Sequence, residues 1–230
     1  MLQQSTVQFL RNLKKNNRKE WFDANRSKYE AAKNDVLQFS AGIIKNLGRT
    51  DDTIAHLEPR DCVFRINRDV RFSKDKSPYK TNMGVYFSKG GKKGVQAGYY
   101  FHFEPGSSFV AGGLWMPMPA ELKKVRQEID YNWDEFKAII NNKRFKTNFR
   151  DLGRDADSVL SRPPKGYDDD NPAIDYIKLK SFIASAKMSD TDLTSKDLVK
   201  TVVAKFAVLK PLIDFLNRAV EEQDYTFSGI

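Results

Sequence analysis

Only one cysteine, Cys62, occurs in a chain of 230 residues, so no disulfide can brace the fold from within. A lone thiol at the start of an apolar run suits a small core residue better than a nucleophile, and a reducing, cytoplasmic location is expected. Histidine is almost as scarce, with two residues. There is no H-E-x-x-H, no Cys/His cluster, and in YDDDNP neither the glycine nor the distal glutamate of a calcium loop, so neither metal nor cofactor is expected. Long apolar runs are missing too. Nowhere do eighteen apolar residues follow one another, and MLQQSTVQFLRNLKKNN has neither the apolar stretch nor the cleavage site of an export signal, so no membrane partner is expected. The glycine-rich SKGGKKG precedes a strand pattern where a Walker loop needs a helix, and a G-x-S-x-G elbow is absent.

What is abundant is positive charge. Lys and Arg number 39 against 30 Asp and Glu, a formal net charge of +9, which favours anionic partners such as phosphorylated metabolites, nucleic acid or an acidic protein. Hydrophobic residues at 40% and aromatics at 12% supply enough apolar surface for a core.

Periodicity divides the chain into three. Over residues 5–48 the pattern is helical: Ser5 with Gln8 and Asn17 with Glu20 have capping-box spacing, Phe9, Leu10 and Leu13 and then Trp21 through Leu47 recur at 3.6-residue steps, and Gly48 closes the run. Over residues 62–115 the period becomes 2, with VFRIN, NMGVYFS, GVQAGYYFHFE and SFVAGGLW as strands, the last three joined by turn chemistry. The third places Val95, Ala97, Tyr99, Phe101 and Phe103 on one face and Gln96, Tyr100, His102 and Glu104 on the other. Over residues 119–222 helices return, the second starting near Asn132. KLKSFIASAKM reads as one more strand, and a long C-terminal helical region opens at Ser195 and breaks at Pro211. The last residues, EEQDYTFSGI, show no packing pattern. The expected architecture is α+β, residues 1–230 as one domain: an antiparallel meander covered on its apolar face by the N- and C-terminal helices, with the site on its polar face.

Between Arg60 and Lys80 seven Lys and Arg face three Asp, leaving four net positive charges in one short run. If VFRIN continued as a strand, Arg68 would fall among Phe64, Ile66 and Val70, a costly burial, so the chain is expected to loop out near Asn67. Arginine forks suit bidentate capture of phosphate or carboxylate, and lysines add point charge. Arg65, Arg68, Arg71, Lys76 and Lys80 are therefore candidate ligand-binding residues. In the competing reading Asp69 and Asp75 neutralise the arginines and the run is a structural clasp. His102, beside Tyr100 and Glu104, is either an acid or base near neutral pH or a half-buried hydrogen-bonding partner; Tyr79 and Asp69 are the other candidates for moving a proton.

The spacing Arg65-x-x-Arg68-Asp69-x-Arg71-Phe72-x-x-x-Lys76-x-x-Tyr79 resembles the signature of the domain-of-unknown-function 2461 family, as do NNRKEWFDANRSKYE, GGLWMP and PPKGY with Pro172. That family more often has histidine where Asn171 stands here. The resemblance implies a place for the site and no reaction. Two functions stay open: binding of, or catalysis on, an anionic small molecule, and a nucleic-acid-binding module with Tyr86, Tyr100 or Trp115 as stacking platforms. A purely structural or partner-binding domain is the third.

Overall fold

A computed structural model describes residues 1–221; the run from Glu222, within the segment that shows no packing pattern, lies outside the described residues. The fold is α+β, with strands β1 (Met83–Phe87), β2 (Gly98–Phe103), β3 (Phe109–Leu114) and β4 (Phe182–Lys187) in the order β1-β2-β3-β4, an antiparallel meander. Contacts gather the chain into two compact units. One holds Met1–Gly94, Tyr99–Ala111 and Ala186–Ala207; the other holds Val95–Gly98, Gly112–Ser185 and the described residues from Val208.

In the first unit the expected N-terminal helical run is three helices, α1 (Gln4–Lys15), α2 (Lys19–Ala24) and α3 (Arg26–Leu47), followed by the short α4 (Asp52–Ala55) and α5 (Pro59–Cys62). Neither expected capping box forms. The start of α1 is held instead by Asp35 of α3, whose buried carboxylate accepts from the Gln3 amide and the Thr6 hydroxyl, each at 2.7 Å. Asn17 is used elsewhere, as described below. Gly48 does end α3 as its C-cap, and a Cβ there would lie 2.6 Å from the Ile44 carbonyl oxygen.

Strands β1 and β2 pair from Met83↔Phe103 to Phe87↔Tyr99. Their alternation buries Val85, Phe87, Tyr99, Phe101 and Phe103 on one face. Helices from both ends of the chain cover that face: Phe39 of α3 meets Phe101 at 4.6 Å, and Phe206 meets Tyr99 at 5.1 Å. Phe206 belongs to α11 (Leu198–Glu221), which follows α10 (Asp190–Leu193). Cys62 is buried, and burial pushes its thiol up to about 11, as suits a core residue.

Two strand expectations need correction. VFRIN is no strand; its backbone forms the isolated bridges Val63↔Val85 and Asn67↔Tyr79, and the chain then loops away. Extending it would have packed Arg68 among apolar groups. Val95 does not share the core face of β2, since that strand begins at Gly98 and Val95 is exposed.

The second unit carries α6 (Pro119–Tyr131), α7 (Trp133–Asn141), α8 (Lys143–Phe149) and α9 (Ile174–Ile177). Phe136 lies at its centre, 5.2 Å from both Tyr176 and Phe215. Arg218 joins the carboxylates of Glu128 and Glu135 at 2.6 and 2.7 Å. The break expected at Pro211 does not occur, because α11 runs through it; a proline costs a helix one hydrogen bond and some crowding, which buried neighbours such as Leu209, Leu212 and Ile213 can offset. No described helix is long and apolar enough to cross a membrane.

Candidate functional site

The basic loop is pinned at both ends. At its start the Phe64 amide donates to the Gly84 carbonyl at 3.0 Å, which sets the segment along the outer edge of β1. At its end the side chain of Asn17 pairs with the backbone of Tyr79 as a strand would: its amide donates to the Tyr79 carbonyl at 2.8 Å, and its oxygen accepts from the Tyr79 amide at 3.1 Å. The Tyr79 ring is buried against Phe22, centroids 3.9 Å apart. Tyr79 therefore belongs to the aromatic cluster of the helices and not to the group around His102.

Within the loop the charges divide into two sets. Arg68 meets Asp75 and donates to Ser73 at 3.2 Å, while Arg71 holds both oxygens of Asp69, at 3.0 and 2.7 Å. Hydrogen bonds from Arg71 hold the Asp69 carboxyl below its usual range; those from Ser77 and then Arg68 do the same for Asp75. Lys76 donates to the Val70 carbonyl at 3.0 Å. All of these contacts lie within the loop itself, and Asp69 is occupied by Arg71.

Arg65 and Lys80 are different. Among the described residues neither forms an ion pair, although the charge of Arg65 reaches the Asp69 carboxylate. Lys80 stands 5.5 Å from the centre of the Phe64 ring, and its amine is depressed, first by burial and then by the charge of Arg65. Lys80, half-buried over an aromatic face and beside the charge of the exposed Arg65, loses solvation and is repelled, and an anion would relieve both costs.

Next to them lies the polar face of β2. Phe64, not Arg65, is the loop residue that reaches it, edge-on to Tyr100 at 6.4 Å. There the Tyr100 hydroxyl and His102 Nδ1 are 3.0 Å apart, and His102 Nε2 and a Glu104 oxygen are 3.4 Å apart. A carboxylate can only accept, so Nε2 carries the hydrogen and Nδ1 accepts from the Tyr100 hydroxyl; the hydrogen-bond network assigns this tautomer. The other Glu104 oxygen accepts from Thr81 at 3.0 Å and from Lys14 at 3.3 Å. The His102 ring stacks on Phe109 at 4.6 Å, which fixes its plane. Gly84, opposite His102 in the ladder, leaves room for Tyr100 to lie across β1, since a Cβ there would stand 2.7 Å from the Tyr100 oxygen.

Electrostatics favour a neutral imidazole and a neutral phenol beside an ionised carboxylate. Burial lowers the His102 imidazole, with Glu104 pulling the other way, and burial pushes Tyr100 up to about 12. Burial also works to raise Glu104, but hydrogen bonds from Thr81, His102 and Lys14 and the charge of Lys14 outweigh it and leave the carboxyl below its ordinary value. A histidine whose folded value is depressed destabilises the fold when it is protonated. Its contribution is present above the 6.5 of a free imidazole and is lost as pH falls through that value toward the folded one. The His102 ring in the native protein should titrate below 6.5 in an NMR titration; a midpoint above it would show that the Glu104 pairing outweighs burial.

Sequence pattern alone placed Tyr100, His102 and Glu104 on one face. It missed Thr81, Lys14 and Asn17. The signal for Asn17 is NNRKEW, in which its spacing to Glu20 points instead to a cap. Among the described residues no three His, Cys, Asp or Glu side chains gather as a metal-sized group. A model of the family described as conserved hypothetical protein (DUF2461) matches residues 5–215 of the chain. No curated protein and no solved structure gives a significant match.

Proposed function

We propose that this chain, which belongs to the DUF2461 family, binds a phosphorylated or otherwise anionic small molecule between Arg65 and Lys80. The single observation supporting this is the division of the cations: Arg68 and Arg71 are in ion pairs with Asp75 and Asp69, whereas Arg65 and Lys80 adjoin with no ion pair of their own among the described residues, the charge of Arg65 reaching Asp69 only after that of Arg71. The ligand's anionic group sits on the fork of Arg65 and the ammonium of Lys80, with Phe64 beneath it. As an enzyme, the protein passes a proton through Tyr100, whose hydroxyl is already hydrogen-bonded to His102 Nδ1; Glu104 holds the imidazole in the accepting tautomer and stabilises it once charged. A basic protein with one buried thiol acts in the cytoplasm under this proposal.

Thermal unfolding with inorganic phosphate, pyrophosphate and a panel of sugar phosphates tests the reading. At a ligand concentration about a hundred times its Kd, the stabilisation should be about 2.7 kcal/mol, a shift of several degrees. Arg65→Ala and Lys80→Ala should each abolish the shift, and Arg71→Ala should keep it. The Arg68–Asp75 and Arg71–Asp69 pairs support a second reading, in which the loop is only a clasp. In that case no member of the panel shifts the transition and Arg71→Ala merely lowers stability. Retention of an oligonucleotide at low ionic strength, lost steeply as salt rises, would instead favour the nucleic-acid alternative.

A further inference from the structure

Helix α6 carries Arg126 and Asp130 one turn apart on the same face, the spacing at which opposite charges commonly join. They do not join. Arg126 turns its Nη2 to the Leu179 carbonyl at 3.2 Å, and its Nε is shut away from solvent without an acceptor. Asp130 accepts from the Asn171 amide at 2.6 Å, and no cation pairs with it among the described residues. Tyr167 of the PPKGY loop lies within electrostatic reach of both: after burial, the charge of Asp130 raises its hydroxyl and that of Arg126 lowers it.

Each charge is thus met by a dipole and not by a counter-charge. Arg126 is half-buried, and burial lowers it, with only Tyr167 opposing. A half-buried charge held by a neutral amide or carbonyl remains costly until an opposite charge arrives. A simple anion drawn to Arg126 would be repelled by Asp130, and a simple amine drawn to Asp130 would be repelled by Arg126. A guest carrying both signs satisfies both. Residues one helical turn apart have Cβ atoms about 5–6 Å apart, a span that the carboxylate and ammonium of one small molecule bridge through a hydrogen bond at each end.

We infer that Arg126, Asp130 and Tyr167 form a binding site for a small zwitterion of the α-amino acid class. Its carboxylate lies on Arg126 and accepts from the Tyr167 hydroxyl, and its ammonium donates to Asp130, which Asn171 holds in place. The site lies wholly in the second unit and does not depend on the proposed function of the first.

Isothermal titration of the whole chain with each free amino acid in turn tests the inference. At least one should bind, and its N-acetyl and its amide derivatives should each bind about tenfold more weakly or worse, because a charge-assisted bond is worth about 1.5–3 kcal/mol. Arg126→Gln and Asp130→Asn should weaken the parent amino acid to the same degree, and Arg65→Ala should leave it unchanged. Should Arg126→Gln not fold by circular dichroism, Asp130→Asn decides alone, since its amide keeps the shape and an acceptor for Asn171. Absence of heat for all amino acids up to about 10 mM, or unaltered binding by Asp130→Asn, overturns the inference.

Discussion

Gly113→Ala is expected to remove about 5 kcal/mol or more, which for a protein of ordinary stability leaves little or no folded material. Two independent causes act at this residue. Its φ of 127° is in the region that side chains avoid, and a Cβ built there would stand 1.8 Å from the Phe182 carbonyl oxygen, an atom of the neighbouring strand's backbone that cannot swing aside. Two companion substitutions separate the causes. Gly106→Ala, at φ 85° with nothing within 4 Å, isolates the backbone strain at about 1–2 kcal/mol. Gly112→Ala meets the Leu209 Cδ1 at 2.8 Å, the end of a side chain that can shift, and is expected to cost about 1–3 kcal/mol. Urea unfolding followed by circular dichroism ranks the three. If Gly113→Ala came within about 1 kcal/mol of Gly106→Ala, the close approach of the two strands would be wrong. The glycines of GGLWMP are thus explained by packing, with no need of a ligand.

Asn17→Ala should cost about 2–4 kcal/mol, because it deletes two hydrogen bonds and leaves the Tyr79 amide and carbonyl unpaired beside a buried aromatic ring. The larger consequence is local. Without Asn17 the closing end of the basic loop keeps only the short bridges between the segments around Ile66 and Tyr79 and the Tyr79–Phe22 stack, so amide exchange at Tyr79 and Lys80 should accelerate far more than in β2. Exchange that rose evenly throughout the first unit would mean that Asn17 stabilises the helices and does not pin the loop. The same variant should weaken phosphate binding while leaving Arg65 and Lys80 intact, since preorganisation of the two cations would be lost.

Much of the fold is legible in the chain because its causes are local. Alternation at Tyr99, Phe101 and Phe103 against Tyr100, His102 and Glu104 names the two faces of β2, and the i, i+4 stripes name the helices. Short-range signals misled where a distant residue competed for the same atoms. Asn17 has the spacing of a cap, yet its amide is taken by a backbone 62 residues away. Ser5 has it too, yet α1 is capped by Asp35. At Pro211 a breaker lies inside a helix whose surroundings are buried.

For the site the division is similar. Composition and spacing sufficed to put the excess positive charge between Arg60 and Lys80 and to put a histidine between a phenol and a carboxylate, because strand alternation is a property of the backbone itself. Which cations keep an open charge could not be read along the chain. Asp75 is nearer in sequence to Lys80 than to its partner Arg68, and Asp69 stands between Arg65 and Arg71, so the path of the loop in space assigned them to Arg68 and Arg71. The split of Arg126 from Asp130 is likewise tertiary: their spacing calls for a pair, and the Leu179 carbonyl and the Asn171 amide, brought in from a segment some forty to fifty residues further on, hold them apart. Pairing energies depend on distance through space, and covalent order constrains that distance only within a turn or a strand.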